Sequence, residues 1–183
     1  GVKGEALAGL NLTGTTHTNA GSYTDSWTFT DATGNYNNAS GSVSDSIAKA
    51  DANVTVNGYT GVYDGNAHGA TGSATGVISE DLSSLLSLGS SFTNVPGGTA
   101  NWSFAGNNNY NSQNGSVAIE SSKANATISV TGYSVTYNGA AHTATGSATG
   151  VKGESLAGLD LSGTTHTNAG SYNDSWTFTD VTG

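Results

Sequence analysis

Residues 1–34 read GVKGEALAGLNLTGTTHTNAGSYTDSWTFTDATG, and residues 150–183 read GVKGESLAGLDLSGTTHTNAGSYNDSWTFTDVTG. They differ at five of 34 positions and lie 149 residues apart. A diverged copy sits between them. ATGSATG occurs at 70–76 and again at 144–150, an offset of 74. Trp27-Thr28-Phe29 matches Trp102-Ser103-Phe104 and Trp176-Thr177-Phe178, and Asn35-Tyr36-Asn37 matches Asn109-Tyr110-Asn111. The period is therefore 74 to 75 residues. A repeat of this length makes the chain a tandem array of small modules, which overrides the one or two domains that 183 residues suggest.

The joints fall best near Lys49 and Lys123, inside the small-residue stretches IAKADA and SSKANA. Residues 49–122 are then one complete module. Residues 1–48 form the back part of a preceding module, and residues 123–183 the front part of a following one. Both ends are expected to cut through modules, with the array continuing in both directions. An alternative stays open beside this. Residues 123–149 resemble the front part that residues 1–48 lack, so separate chains could complement one another head to tail.

Composition narrows the function classes. Apolar residues make up 34% and charged residues 9%. Four Lys and no Arg face thirteen acids, for a net charge of −9. A nucleic-acid binder needs a basic stripe, and none exists. An anionic membrane surface would not attract this chain either. Acidity keeps a long polymer soluble and self-repelling. Cys and Met are absent, which removes disulfides, thiolate metal sites and a Cys nucleophile. No apolar run approaches 18 residues, so no membrane insertion is expected in this segment. Scarce basic residues and the lack of readily oxidised sulfur suit an extracellular or cell-surface location.

Within one module the pattern predicts about six short strands and an all-β fold of small immunoglobulin-like sandwich modules. Val54 and Val56 alternate with polar neighbours, as do Ile128 and Val130. Asp64-Gly65, and Asn138-Gly139 in the next copy, predict a type I′ hairpin turn joining Tyr59–Tyr63 to His68–Val77. Ser79 to Leu86 predicts one or two helical turns capped by Ser79. Ser91 to Asn94 predicts another short strand. Thr99 to Ala105 carries the strongest strand signal, with Trp102 and Phe104 on one face. Tyr23, Asp25, Trp27 and Phe29 share that parity in the first copy. Gly115 to Ser121 closes the module with Val117 and Ile119 inward. The expected interior is centred on Trp. A β-grasp, whose ββαββ order the Leu-rich segment could mimic, is the alternative.

The run TNAGSYTDSWTFT (18–30), GNYNNASGS (34–42) and IAKADA (47–52) resembles the closing half of bacterial immunoglobulin-like repeats. GYTGVYDGNAHGATGSATGV (58–77) resembles the YDG/MBG-type repeats of large bacterial adhesins. The resemblance covers the chain module by module. It implies β-rich units of long surface or secreted proteins acting as stalks, spacers or adhesins, and it implies no catalytic residues. Asn138 departs from the YDG pattern set by Asp64, so an Asp there is not chemically indispensable.

The remaining chemistry-bearing residues read as structural. His17 and His166 share Thr-Thr-His-Thr-Asn, but the middle copy carries Phe92, so the position asks for an aromatic body rather than a proton shuttle. No partner acid is identifiable for His68 and His142. Glu5, Glu80 and Glu154 recur without a second recurrent acid such as Asp81, and suit a helix N-terminus better than acid–base work. Asp31, Asp180 and Asn35 could offer oxygens to Ca²⁺, which wants six to eight. The middle copy offers no acid there. Ser and Thr lack a nucleophile motif, and Gly72–Gly76 lacks the Lys of a phosphate loop. Sequons at Asn53 and Asn125 are expected by chance. Lys49 and Lys123 recommend themselves for a Lys–Asn isopeptide only weakly, because they sit at joints.

These readings predict no catalytic residue, no cofactor site and no metal site. The expected role is a structural segment of a stalk, fibre or filament, with an adhesin amplified by multivalency as the alternative. The expected partners are neighbouring modules of the same chain, with identical chains in a fibre as a further option.

Overall fold

The computed structural model describes residues 1–181; Thr182 and Gly183, at the end of the expected third module, lie outside the described residues. Among the described residues thirteen strands run in chain order: β1 (Leu10–Asn11), β2 (Gly21–Phe29), β3 (Ala39–Ile47), β4 (Asn53–Asn57), β5 (Tyr59–Val62), β6 (Thr71–Thr75), β7 (Leu86–Ser87), β8 (Gly97–Phe104), β9 (Gln113–Ser122), β10 (Thr127–Thr131), β11 (Thr145–Thr149), β12 (Leu159–Asp160) and β13 (Thr177–Phe178). The chain is all-β among the described residues, with single 3₁₀ turns at Ser83–Leu85 and Ser162–Thr164. No described helix is long and apolar enough to cross a membrane.

Spatial contacts divide the chain into two compact units, and the division runs through the middle repeat. The first holds Gly1–Asn57, Thr71–Gly89 and Asn101–Val117; the second holds Gly58–Ala70, Ser90–Ala100 and Ala118–Gly183.

In the first unit β2 pairs antiparallel with β3, from Gly21↔Ile47 to Phe29↔Ala39. Alternation puts Tyr23, Asp25, Trp27 and Phe29 on the less exposed face, as their shared parity predicts. β4 pairs with β6, Val54 opposite Ala74, and β7 meets β8 at Leu86↔Phe104. Ala52, Ala74, Leu82, Phe104 and Tyr110 form the buried cluster, flanked by Ala50, Val54, Leu85 and Leu86. Burying a side chain the size of Phe104 contributes about 1.5–3 kcal/mol.

The expected Trp-centred interior is corrected here. Phe104, not Trp102, is the large side chain fully buried in this unit. The indoles lie instead across glycines of the neighbouring strand. A Cβ on Gly41 would stand 2.7 Å from Trp27, and one on Gly115 would stand 2.6 Å from Trp102.

The expected helical turns are also corrected. Ser79 sits at φ 65 and caps nothing. Asp81 accepts the Ser83 N–H at 2.9 Å, and one 3₁₀ turn, Ser83–Leu85, follows. Side-chain oxygens of Ser and Asp compete with helical hydrogen bonds in this way.

In the second unit β5 pairs in parallel with β9, from Tyr59↔Ile119 to Val62↔Ser122. The predicted hairpin across Asp64-Gly65 is therefore absent: β5 joins the last strand of its module, and β6 joins β4. Gly58 sits at the switch, where an added Cβ would stand 2.1 Å from the Ala118 carbonyl oxygen. Asp64 forms a local turn by accepting the Asn66 N–H at 2.8 Å. The strand expected over Ser91–Asn94 reduces to a single bridge between Phe92 and His68. Ala100 and Ile119 are buried. The third repeat repeats the β4–β6 register as Ile128↔Ala148 of β10 and β11. Its β12 and β13 pair Leu159 with Phe178, matching Leu10 with Phe29 of β1 and β2.

Candidate functional site: recurrent histidine clusters

Each of the four histidines meets a side-chain oxygen through Nε2 and lies beside a Tyr ring. His17 Nε2 lies 2.8 Å from Asp25 Oδ2, and its ring stacks on Tyr23 at 3.5 Å. The Tyr23 hydroxyl donates to the Asn19 carbonyl at 2.6 Å. Asp25 is buried. Strand alternation explains the grouping, because Tyr23 and Asp25 occupy one face of β2. His166 repeats the arrangement with Asp174 Oδ1 at 2.8 Å, Tyr172 stacked at 3.6 Å, and Tyr172 donating to Asn168.

His68 and His142 form the second pair of clusters. His68 Nε2 lies 3.0 Å from Asp64 Oδ1 and stacks on Tyr59 at 3.9 Å. The Asn66 backbone N–H, then His68, hold the Asp64 carboxyl well below the usual carboxylate range. His142 meets Asn138 Oδ1 at 3.0 Å, with Tyr133 tilted 5.5 Å away. Inspection of residue types found no acid for these histidines; the i,i+4 spacing of Asp64 and His68 was the available signal.

The diverged middle copy shows what the first cluster does. At an offset of 75, His17, Tyr23 and Asp25 correspond to Phe92, Gly98 and Ala100. All three change together. The Phe92 ring fills the space a side chain at Gly98 would need, 2.4 Å from an added Cβ, and Ala100 is fully buried. A polar trio and an apolar trio thus serve the same packing position. The expectation that position 17 asks for an aromatic body agrees with these contacts, and its buried acid partner is a new observation.

Among the described residues no Ser or Thr hydroxyl hydrogen-bonds an imidazole. The recurrent glutamates also have structural partners. Tyr36 donates its hydroxyl to Glu5, and Tyr110 donates to Glu80. These hydroxyls are the largest cause of the lowered carboxyl values of Glu5 and Glu80. Glu80 also accepts the Ile78 N–H, Glu5 that of Lys3, and Glu154 that of Lys152. Each glutamate closes a tight turn, which corrects the helix N-terminus expectation.

Asp31 is saturated by its own loop. It accepts N–H groups from Tyr36, Thr33 and Asn35 and the Thr33 hydroxyl. The Tyr36 N–H is the foremost cause of its carboxyl falling to about 2. In the middle copy Asn107 does this work, accepting from Asn109 and Tyr110. Among the described residues no three His, Asp or Glu side chains are grouped to hold a metal.

Lys49 Nζ donates to the Asn107 backbone carbonyl at 2.7 Å rather than facing an Asn side chain. It lies where the sequence places a joint. Ala50 exchanges backbone bonds with Asn109 and Asn111, and Asn109 Oδ1 accepts the Ala20 N–H at 2.8 Å while its Nδ2 donates to Asn19. Comparison of the chain with protein-family models, curated proteins and solved structures finds no match.

Proposed function

We propose that this chain is a structural repeat segment of a long extracellular or cell-surface bacterial protein, working by length and connection rather than by catalysis. The observation that carries this reading is the joint around Asn107–Asn111. Asn109 of the middle module bonds to Asn19 and Ala20 of the preceding stretch, and the same loop bonds to Lys49 and Ala50 at the start of its own module. The Asn109 side chain, donating to Asn19 and accepting from Ala20, supports a force-bearing role for this loop. The absence of Cys and Met and the scarcity of Lys fit a life outside the cell.

For the module fold we propose an immunoglobulin-like sandwich. Its support is the split of the opening strand: β4 pairs with β6, while β5 runs parallel to the closing strand β9. Ala52, Val54 and Ala74 share one apolar cluster with Leu86 and Phe104, as two facing sheets would. The single 3₁₀ turn at Ser83–Leu85 is too short for the crossing helix of a β-grasp.

Pulling tandem copies of the chain by force spectroscopy tests the proposal. Extended chain spans ~3.4 Å per residue, so each module of 74 residues should lengthen the tether by roughly 250 Å. A chain that yields without resistance, or binds a glycan saturably on an array, would remove the structural reading in favour of an adhesin.

A further inference from the structure

Gly65 is buried, although Asp64 and Asn66 on either side of it are exposed. The cover comes from the next repeat. A Cβ on Gly65 would stand 2.2 Å from Lys152 Cε, 2.7 Å from Cδ and 2.9 Å from Cγ. Three carbons of the Lys152 stem therefore lie across the Asp64-Gly65 turn of the middle module. A lysine covers surface with its stem in this way while its ammonium stays in water. Both residues belong to the second compact unit.

The turn that presents Lys152 is built alike in the three repeats. Gly153 N–H donates to the Gly150 carbonyl at 3.0 Å, Gly150 N–H donates to the Glu154 carbonyl at 2.9 Å, and Lys152 N–H donates to Glu154 Oε2 at 2.8 Å. In the middle module Ser79 donates to Gly76, Gly76 to the Glu80 carbonyl, and Ile78 to the Glu80 carboxylate. In the first repeat Gly4 donates to Gly1 and Lys3 to Glu5. The recurrent glutamates thus hold a hydrogen-bonded loop whose apex is Lys3, Ile78 or Lys152. A long aliphatic body recurs at that apex and the positive charge does not, so the position is made for packing rather than for an ion pair.

We propose that the Glu-closed turn Gly150–Glu154 is a docking element whose partner is the Asp64-Gly65 turn of the preceding module, and that the Lys152 stem on Gly65 restrains motion across this joint. The inference rests on the structural-segment reading and adds the surface through which one module steadies the next. It also gives glycine at position 65 a second reason. The positive φ of 75 already favours glycine, and the stem additionally takes the room a Cβ would need. The link between the modules is short, since β9 ends at Ser122 and β10 begins at Thr127. A short link limits reach but not rotation about its own bonds. Modules without a substantial interface move relative to one another, so the side contact supplies the restraint.

Two spin labels on the full chain test this. The chain has no cysteine, so Thr60→Cys on β5 and Ser129→Cys on β10 place the labels at exposed strand positions of the middle module and the third repeat. Pulsed electron spin resonance reads the spread of the distance between them. A narrow distribution is expected for the labelled chain and for its Lys152→Ile variant, which keeps an aliphatic body as Ile78 does. Lys152→Ser should broaden the distribution about twofold, because modules without a restraining contact move independently. A broad distribution with Lys152 in place overturns the proposal, and so does a Lys152→Ser variant that stays as narrow. Lys152→Ile broadening as much as Lys152→Ser also overturns it, since the ammonium rather than the stem would then hold the joint. None of these outcomes changes the resistance of single modules to pulling, on which the structural-segment reading stands or falls.

Discussion

The hydroxyl of Tyr110 bridges two groups, donating to the Glu80 carboxylate and accepting the backbone N–H of Val77. Tyr110 is buried, so its removal leaves a turn amide without its partner. Unmade bonds at buried groups cost more than made ones contribute. Tyr110→Phe should lower the thermal midpoint by a few degrees without changing the far-ultraviolet dichroism of the folded chain. An unchanged midpoint would mean that water replaces the hydroxyl fully.

Gly115 lies under the indole of Trp102, 2.6 Å from where a Cβ would stand. Gly115→Val should destabilise the middle module by about 1–3 kcal/mol, the usual cost of overpacking, and red-shift Trp emission as the ring is displaced. Chemical denaturation followed by fluorescence reads both. Gly115→Ala should lie between the two.

The trio His17, Tyr23 and Asp25 is replaced as a block by Phe92, Gly98 and Ala100 in the next copy. Asp25→Ala alone should cost about 1–3 kcal/mol, because a buried hydrogen bond loses one partner. Combining His17→Phe, Tyr23→Gly and Asp25→Ala should cost less than the sum of the three single changes. A double-mutant cycle on His17 and Asp25 measures the coupling; strict additivity would refute the block interpretation.

Asp31 titrates at about 2 in the folded chain, below its ordinary 3.8, chiefly because the Tyr36 N–H donates to it. Its folded value is depressed, so its contribution is complete above roughly pH 4. The contribution fades as the pH falls toward 2. Carboxyl carbon chemical shifts of Asp31 should therefore titrate near 2. Asp31→Asn should abolish that part of the acid sensitivity, since Asn107 already performs this task in the middle module.

The repeat, the strand parity of Tyr23, Asp25, Trp27 and Phe29, and the closing strand with Ile119 inward were legible because a period of two writes itself into residue order. The partner of β5 was not legible. Asp64-Gly65 carries a local hairpin signal, and the parallel bond between Tyr59 and Ile119 leaves no local trace. The histidine clusters were half legible. Phe92 disclosed that position 17 packs, but Asp25 could be assigned to it only once β2 had placed both on one face. The indoles escaped for a related reason. A Trp in a strand reads as core, and only the facing glycines Gly41 and Gly115 reveal a ring lying flat along the sheet.

The parallel pairing of Tyr59 with Ile119 also fixes when a module can close during synthesis. Sixty residues separate the two, and translation at about 5–20 residues per second leaves the early edge waiting for roughly 3–12 seconds. Throughout that interval a neighbour's closing strand is already at hand as a rival.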